Sequence, residues 1–472
     1  MVLNSLKFAL FFLIFLAVLL FVPKKLRKPW LFLGNCLFYL SWERWSAVLL
    51  LLSVLMVWGT GLLGKDRERI SGKKRALLLA LPVLWNLGLL IFFRFTGLIG
   101  SVFGRIGLPF SVSSILAPLG ISFYTLRCIS YAAEIYQGRM EPVRNPVDVF
   151  LYVSFFPQII SGPVEKPERF FAELEAFRQK DLRDSGSLLR GFLLFVWGLF
   201  QKIVLAERLS MITNRVFPNY ETHGFWMLLT ASFAYTFRIY CDFGGYSDMS
   251  RGIAGMMGFS TMRNFRQPYL AAGIKAFWRR WHISLTDWLT DYVYIPLGGN
   301  RKGMLRKYVN ILIVFAVSGL WHGSTLNFLF WGLLHGVFQI TEDLWTRTGR
   351  RLPGWLARII TFLEVNFAWI FFNAGGLNRG FRFIRQMFTD FTLPAVWDPG
   401  LVPGNLAVLC GGLLILLTVD LLHERGVSIQ QKTAVLPLPL RWLLYLALFW
   451  SVIMLGIYGV GYDTTGFIYA SF

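Results

Sequence analysis

Long apolar stretches, separated by short polar segments, run through almost the whole chain. A helix that crosses a bilayer needs about 20 mostly apolar residues. Stretches that approach this length cover 6–22, 46–63, 76–95, 188–206, 224–240, 309–320, 328–340, 355–372, 406–422 and 440–458. Shorter apolar stretches cover 30–40, 115–136 and 150–160. The pattern predicts an all-α polytopic membrane protein with about 10 to 13 transmembrane or re-entrant helices.

One apolar stretch is interrupted. The stretch 150–160 contains Pro157, and Ser161, Gly162 and Pro163 follow it directly. Such a break inside apolar sequence predicts a broken or re-entrant helix, which is tolerated only where protein or a cavity satisfies the backbone. The most polar window of the chain, 165–190, comes next and is short enough to form an amphipathic surface helix.

The composition strengthens the prediction of a membrane protein. Hydrophobic residues make up 55% of the 472 residues and charged residues 15%, whereas a soluble protein carries about 25% charged residues. This balance excludes a disordered chain and argues strongly against a soluble enzyme. Four cysteines lie singly in or beside apolar stretches, at Cys36, Cys128, Cys241 and Cys410. Their spacing predicts small apolar residues rather than disulfides or metal ligands.

The charge is strongly positive, with 47 Lys and Arg against 26 Asp and Glu and a net charge of +21. Basic residues gather in two short loops, 24–28 and 65–75, as the positive-inside rule expects of cytoplasmic loops. The excess therefore indicates a multi-pass protein whose partners are membrane lipids and not nucleic acid. If both loops are cytoplasmic, the N-terminus is extracytoplasmic.

The segment 241–305 differs from its surroundings. It begins with Asp242 and Asp248 around two glycines, which we place at the end of an apolar span, and continues with many Arg, Trp and Tyr residues. The segment is too polar to span a bilayer and too aromatic to be a solvated loop. It predicts either an amphipathic element at the membrane interface or a polar and aromatic core packed among the spans.

Three of the five histidines are candidates for chemistry. His322 has long apolar sequence on both sides, and an ionisable group deep in a membrane is a functional candidate by default. Its neutral imidazole could act as a general base near pH 7. His282 lies in the aromatic segment 277–288, where helical spacing predicts one face carrying Trp278, His282 and Leu285. The alternative for each is a histidine that only hydrogen-bonds within a helix bundle.

The third candidate is His335. Helical spacing places Asn327, Trp331 and His335 on one helix face. His223 and His423 lie near the ends of apolar stretches, which predicts interfacial positions. The histidine spacing does not match a zinc site, so we predict no bound metal.

The residues alone leave two classes of function open: a membrane enzyme with a histidine base, or a transporter lined by His, Arg and Asp. Clustering of the polar residues between 241 and 335 favours the enzyme.

Several motifs then follow one another in order. They are PLGISFY at 118–124, PQIISGP at 157–163, DFGGYSD at 242–248, FWRRWHISLTDW at 277–288, YIPLGGNR at 294–301, LWHG at 320–323, and WG and HG at 331–332 and 335–336. With this set, the chain resembles the membrane-bound O-acyltransferase (MBOAT) family, in the bacterial branch that acts in alginate O-acetylation. Gly244 stands where that family often has Ser, and Asn373 where it often has Arg, which puts alginate itself in doubt as the acceptor.

The resemblance implies one membrane domain over 1–472, with the family motifs in 118–336. It implies a ring of helices around a thinner core, with a tunnel that leads to a histidine. In that pattern His322 is the catalytic histidine and His282 the second one. We expect Trp281, Trp321, Asn327 and His335 to support the tunnel or the oxyanion.

The resemblance also implies substrates and partners. No cofactor is held permanently, and the acyl donor is a cytoplasmic thioester, either acetyl-CoA or an acyl carrier protein. The acceptor is an extracytoplasmic polysaccharide, reached with the help of an extracytoplasmic partner protein, at the plasma (inner) membrane of a bacterium. The alternative within the family is transfer of D-alanine from a carrier protein to teichoic acid.

Overall fold

The computed structural model describes residues 1–42, 44–65, 70–95, 117–392 and 398–458. Positions 115–116 of one predicted apolar stretch, and Arg67 and Arg69 of the second basic loop, lie outside the described residues. Within the described ranges every regular element is a helix. The prediction of an all-α protein is therefore confirmed.

The chain divides into two compact units. The first consists of Met1–Phe192 with Ser250–Met262, and the second of Leu193–Met249 with Arg263–Phe472. The prediction of a single domain over 1–472 stays a prediction.

The helices of the first unit are α1 (Leu6–Phe21), α2 (Arg27–Leu40), α3 (Arg44–Leu63), α4 (Gly72–Arg94), α5 (Ile121–Gln137), α6 (Pro146–Ser154) and α7 (Pro167–Phe177). Next along the chain come α8 (Ser185–Leu199), a π-helical turn (Phe200–Ala206), α9 (Glu207–Val216) and α10 (Phe225–Met256). Both α8 and α10 contribute residues to each unit.

The remaining helices belong to the second unit. They are α11 (Ile274–Trp278), α12 (Ile283–Leu289), α13 (Met304–His322), α14 (Leu326–Arg347), α15 (Gly354–Asn373), α16 (Leu377–Met387), α17 (Pro403–Glu424), α18 (Ile429–Ala434) and α19 (Leu438–Leu455).

Seven helices in the described part of the chain are long and apolar enough to cross a membrane. They are Arg44–Leu63, Gly72–Arg94, Ser185–Val216, Met304–His322, Gly354–Asn373, Pro403–Glu424 and Leu438–Leu455. Helix α1 is apolar but shorter. Large apolar side chains remain exposed along these helices, for example Leu84, Leu414 and Leu443, which is the surface that a lipid-embedded helix presents.

The predicted break after position 150 is confirmed. Helix α6 ends at Ser154 and α7 begins at Pro167, and the backbone between them is not helical although most of its side chains are buried. The buried Arg127 of α5 holds this stretch together. Its guanidinium donates to the carbonyl oxygens of Tyr152 (2.7 Å) and Pro163 (3.0 Å) and to Oε1 of Gln158 (2.6 Å). The protein thus supplies the hydrogen bonds that lipid cannot.

The first two family motifs meet at this stretch. Gly120 precedes α5 with φ +68°, a backbone conformation that glycine adopts most readily. A Cβ at Gly120 would lie 2.3 Å from the carbonyl oxygen of Ile159. Glycine is therefore required there twice, for its conformation and for the close approach of the two motifs.

The structure corrects the position of the DFGGYSD motif. We expected Asp242 and Asp248 to follow the end of an apolar span, but α10 continues through both of them to Met256. The motif lies inside the helix because its glycines serve helix packing. A Cβ at Gly245 would lie 2.7 Å from the carbonyl oxygen of Gly198, and one at Gly198 would lie 2.4 Å from that of Gly245. The two glycines let α8 and α10 cross backbone to backbone.

Candidate active site

The site begins with the close pairing of α13 and α14, which three residues connect. A Cβ at Gly319 would lie 2.3 Å from the carbonyl oxygen of Phe328, and one at Gly332 would lie 2.1 Å from that of Phe315. Small residues at such crossings let membrane helices approach at backbone distance. This contact fixes the end of α13, and the last residue of α13 is His322.

His322 is enclosed by aromatic rings. Its side chain is 2% exposed. The centroid of its ring lies 4.8 Å from that of Trp321, 5.1 Å from Trp331 and 5.3 Å from Phe372, each in an edge-on arrangement. The imidazole therefore has one edge-on aromatic neighbour from each of α13, α14 and α15.

Helix α14 carries the predicted face. Asn327, Trp331 and His335 are all buried on it, which confirms their common orientation. The amide nitrogen of Asn327 donates to the carbonyl oxygen of Phe371 (3.1 Å) and so ties α14 to α15. The His335 ring lies 5.1 Å from the ring centroids of both Trp278 and Trp331. His335 thus packs against Trp278 and Trp331, and Trp331 also contacts His322. We call the rings that surround these histidines the aromatic cluster.

The predicted helix over 277–288 is wrong at its centre. Helix α11 ends at Trp278 and α12 begins at Ile283, with His282 between them at φ +43° and ψ +53°. A left-handed residue cannot continue a right-handed helix. Trp278, His282 and Leu285 therefore do not share one helix face. Trp278 faces His335, whereas His282 faces other rings.

The His282 ring also lies in the aromatic cluster, through contacts with Phe243 and Trp321. Its centroid is 4.7 Å from that of Phe243 in α10 and 6.1 Å from that of Trp321. Trp321 therefore contacts both His282 and His322. Trp281 points elsewhere: its ring lies 4.9 Å from Phe265 and 5.1 Å from Trp369.

Burial controls the charge of His282. Its side chain is 1% exposed, and the residue lies outside the seven apolar helices. Desolvation lowers the pKa of His282 to about 3, because the charged form loses its hydration on burial. The imidazole is neutral at pH 7 and carries one N–H donor and one lone pair.

His223 and His423 lie elsewhere, partly exposed, after a short turn and near the end of α17. In the ranges that the structure describes, no group of three or more His, Cys, Asp or Glu side chains could hold a metal ion. The prediction of no bound metal stays a prediction.

A buried ion pair that the sequence pattern did not predict lies beside the aromatic cluster. Lys202, in the π-helical turn, lies 2.6 Å from Asp242 and 2.9 Å from Glu207. Lys202 and Asp242 are both almost completely buried. Asp242 directly precedes Phe243, so the pair fixes α10 at the residue that contacts His282. A lysine inside the predicted span 188–206 was the signal available in the sequence.

Comparison with known proteins assigns the chain to a family. Residues 143–381, about half of the chain, match the family model described as MBOAT, membrane-bound O-acyltransferase family. The chain belongs to the MBOAT family. The match includes His282, His322 and His335, and it begins after the PLGISFY motif.

Relatives of this MBOAT protein extend the similarity. The probable alginate O-acetylase of Pseudomonas aeruginosa is 34% identical over 82% of this chain and 75% of its own length. The peptidoglycan O-acetyltransferase of Helicobacter pylori is 33% identical over 76% of this chain and 73% of its own. The teichoic acid D-alanyltransferase of Bacillus subtilis is 27% identical over 55% of this chain and 69% of its own. This MBOAT protein is an acyltransferase and a multi-pass membrane protein.

Proposed function

We propose that this MBOAT protein transfers an acetyl group from a cytoplasmic thioester toward hydroxyl groups of an extracytoplasmic polysaccharide. The donor is acetyl-CoA or an acetylated carrier protein, the membrane is the inner membrane of a bacterium, and an extracytoplasmic partner protein completes the transfer. Relatives at 33–34% identity that are named for O-acetylation support acetyl as the acyl group. The contact of both His282 and His322 with Trp321 carries the proposal of a shared catalytic site.

His322 acts as the general base in this proposal. Its lone pair takes the proton of the acceptor hydroxyl, and the hydroxyl oxygen attacks the thioester carbonyl carbon. The new C–O bond forms, the C–S bond then breaks, and the imidazolium returns its proton to the thiolate that leaves. A positioned base of this kind contributes about 10²- to 10⁴-fold to the rate.

His282 orients the acceptor or stabilises the oxyanion in this proposal. A neutral imidazole offers one N–H donor, and removal of one oxyanion donor typically costs about 10²- to 10³-fold in rate. Trp321 is better placed than Trp281 to add an indole N–H, because the Trp321 ring contacts both histidines, whereas the Trp281 ring lies against Phe265 and Trp369. Asn327 already donates one hydrogen to Phe371 and can offer its second. His335 supports the cluster through packing.

The test uses membranes that contain the full-length protein, with radiolabelled acetyl-CoA as the donor. Transfer should produce a labelled O-ester that mild base releases. His322→Ala should lower the rate by about 10²- to 10⁴-fold, and His282→Asn by about 10²-fold, while both proteins remain folded in the membrane. The control is His423→Gln, at a partly exposed histidine outside the cluster, which should keep the wild-type rate. A His322→Ala enzyme with the wild-type rate would show that His322 is not the general base.

D-Alanyl transfer is the second candidate, since a teichoic acid D-alanyltransferase is also a relative. Its lower identity and shorter coverage favour acetyl transfer. The two candidates separate when D-alanyl carrier protein and acetyl-CoA are offered in parallel to the same membranes. If labelled product forms only with the D-alanyl carrier protein, the transferred group is D-alanine and not acetyl.

A further inference from the structure

The backbone at His282 is unusual for the start of a helix. His282 occupies the N-cap of α12, and its side chain makes no capping hydrogen bond. N-cap positions favour Ser, Thr, Asp and Asn, whose side-chain oxygens accept from the first N–H groups of the helix. The φ of +43° is uncommon for any residue other than Gly. An N-cap without a side-chain cap, in an uncommon backbone conformation, indicates that groups outside α12 stabilise this turn.

Asn264 supplies the hydrogen-bond acceptors that the side chain of the N-cap residue does not. Its carbonyl oxygen accepts from the N–H of Ile283 (3.0 Å), and its Oδ1 accepts from the N–H of Ser284 (3.2 Å). These are the first two N–H groups of α12, which lack partners within a helix. Asn264 is completely buried, and Ser284 is almost completely buried. A further bond, from the N–H of Arg266 to the carbonyl oxygen of Arg280 (2.9 Å), joins the same two segments.

We propose that Asn264 is a positioning residue that caps α12 in place of His282 and thereby directs the His282 imidazole into the active site. The inference rests on the proposed role of His282. Because Asn264 accepts the N–H groups of the first turn, the N-cap side chain is not needed for capping. The imidazole can then lie against Phe243 and Trp321, as observed.

The side-chain oxygen of Asn264 can be removed selectively. Leucine has the same branching and the same number of side-chain heavy atoms as asparagine but no acceptor, so Asn264→Leu leaves the buried N–H of Ser284 without this partner. The turn then shifts toward a conformation that solvates or re-pairs that N–H, and the imidazole moves with it. A displacement of about 1 Å in a catalytic group can cost about 10²-fold in rate. Asn264→Asp keeps an oxygen acceptor at the same position, and a carboxylate is favourable at a helix N-terminus.

The experiment compares five variants of the full-length protein in lipid nanodiscs, with labelled acetyl-CoA as the probe. They are Asn264→Leu, Asn264→Asp, His282→Asn, the double variant Asn264→Leu/His282→Asn, and the control Asn310→Leu. Asn310 is equally buried in the second unit, and its amide donates to the carbonyl oxygen of Gly299 (2.8 Å) in the segment before α13. Thermal melting of each variant reports folding, and kcat and KM report catalysis.

We expect Asn264→Leu to lower kcat about 10- to 100-fold with KM for acetyl-CoA within twofold of wild type. Asn264→Asp should recover kcat to within about threefold, because its carboxylate still accepts from Ser284. The double variant should be no slower than His282→Asn alone, because both changes act through the same imidazole. Asn310→Leu should lower the melting temperature as much as Asn264→Leu while keeping kcat.

The outcomes separate the two proposals. If His282→Asn is slow but folded Asn264→Leu has the wild-type kcat, the positioning role is wrong and the role of His282 stands. If the losses of the two single variants multiply in the double variant, Asn264 acts independently of His282 and the inference is overturned. Wild-type activity in His282→Asn would instead remove the proposed role of His282. Should Asn264→Leu fail to fold, a folded but slow Asn264→Asp enzyme would equally contradict the inference.

Discussion

The crossing of α13 and α14 gives a prediction that depends only on backbone geometry. In Gly332→Ala the new Cβ would lie 2.1 Å from the carbonyl oxygen of Phe315 and 3.2 Å from the amide nitrogen of Gly319. Both neighbours are backbone atoms, so no side-chain rotation relieves the clash. Ordinary contact begins at 3.4 Å, which requires the helices to separate by about 1.3 Å.

That separation acts directly on the proposed base. Gly332 follows Trp331, whose ring packs edge-on against His322, and His322 ends the opposite helix. A shift of about 1 Å at a catalytic group costs about 10²-fold in rate, and overpacking costs about 1–3 kcal/mol of stability. We therefore expect Gly332→Ala to lose about 99% of the transfer rate in the labelled acetyl-CoA assay.

The matched control lies one turn further along the same helix. A Cβ at Gly336 would meet the tip of the Leu312 side chain at 3.0 Å, and the next atoms lie at 3.5 Å. Since Leu312 can move its methyl group, Gly336→Ala should keep the rate within about twofold. A Gly332→Ala enzyme that works at the wild-type rate would show that the backbone contact does not position the site.

Three further predictions concern stability, and denaturation of the protein in detergent micelles tests each of them. Asp242→Leu should lower the free energy of unfolding by about 3 kcal/mol, because only Glu207 then remains as a carboxylate partner of the buried Lys202 ammonium. Adding Lys202→Met should recover most of the loss; equal stability of the single and double variants would contradict this. Arg127→Met should prevent stable folding of the first unit, because three buried acceptors lose their donor, and a protein as stable as wild type would refute the role of Arg127. Burial lowers the pKa of His282 to about 3, so below pH 6.5 the unfolded chain binds a proton that the folded protein does not. The free energy of unfolding should therefore fall by about 1.4 kcal/mol per pH unit from pH 6.5 downward, and His282→Asn should remove that part of the slope.

The sequence predicts those parts of the structure that depend on local pattern. Apolar stretches of sufficient length became helices, and the spacing of Asn327, Trp331 and His335 placed them on one buried face. Both features follow from the period of the helix and the length of a bilayer span. The break near Pro157 is also local, since Pro157, Gly162 and Pro163 follow one another closely, whereas the single Pro82 lies inside α4 without ending it.

Long-range contacts decide the parts that the sequence does not predict. The segment around His282 contains no glycine or proline that would signal a break, and the left-handed turn depends on Asn264, 18 positions earlier. Lys202 is visible as a charge inside an apolar stretch, yet its partner Asp242 lies 40 positions away. Local periodicity carries no information about such pairs, so the sequence shows the charge but not the residue that pairs with it.

The hydrogen bonds of Arg127 have a consequence for biogenesis. An arginine at the centre of a lone helix costs about 2.5–3.5 kcal/mol on leaving the translocon for lipid. Helix α5 carries that arginine, whereas its three acceptors belong to a stretch made about 25 to 36 residues later. At typical rates of synthesis, about 5–20 residues per second, the arginine waits a few seconds for its partners. Helix α5 is not among the seven helices that are long and apolar enough to span a membrane alone. We therefore expect α5 to leave the translocon together with α6 and the stretch that follows it.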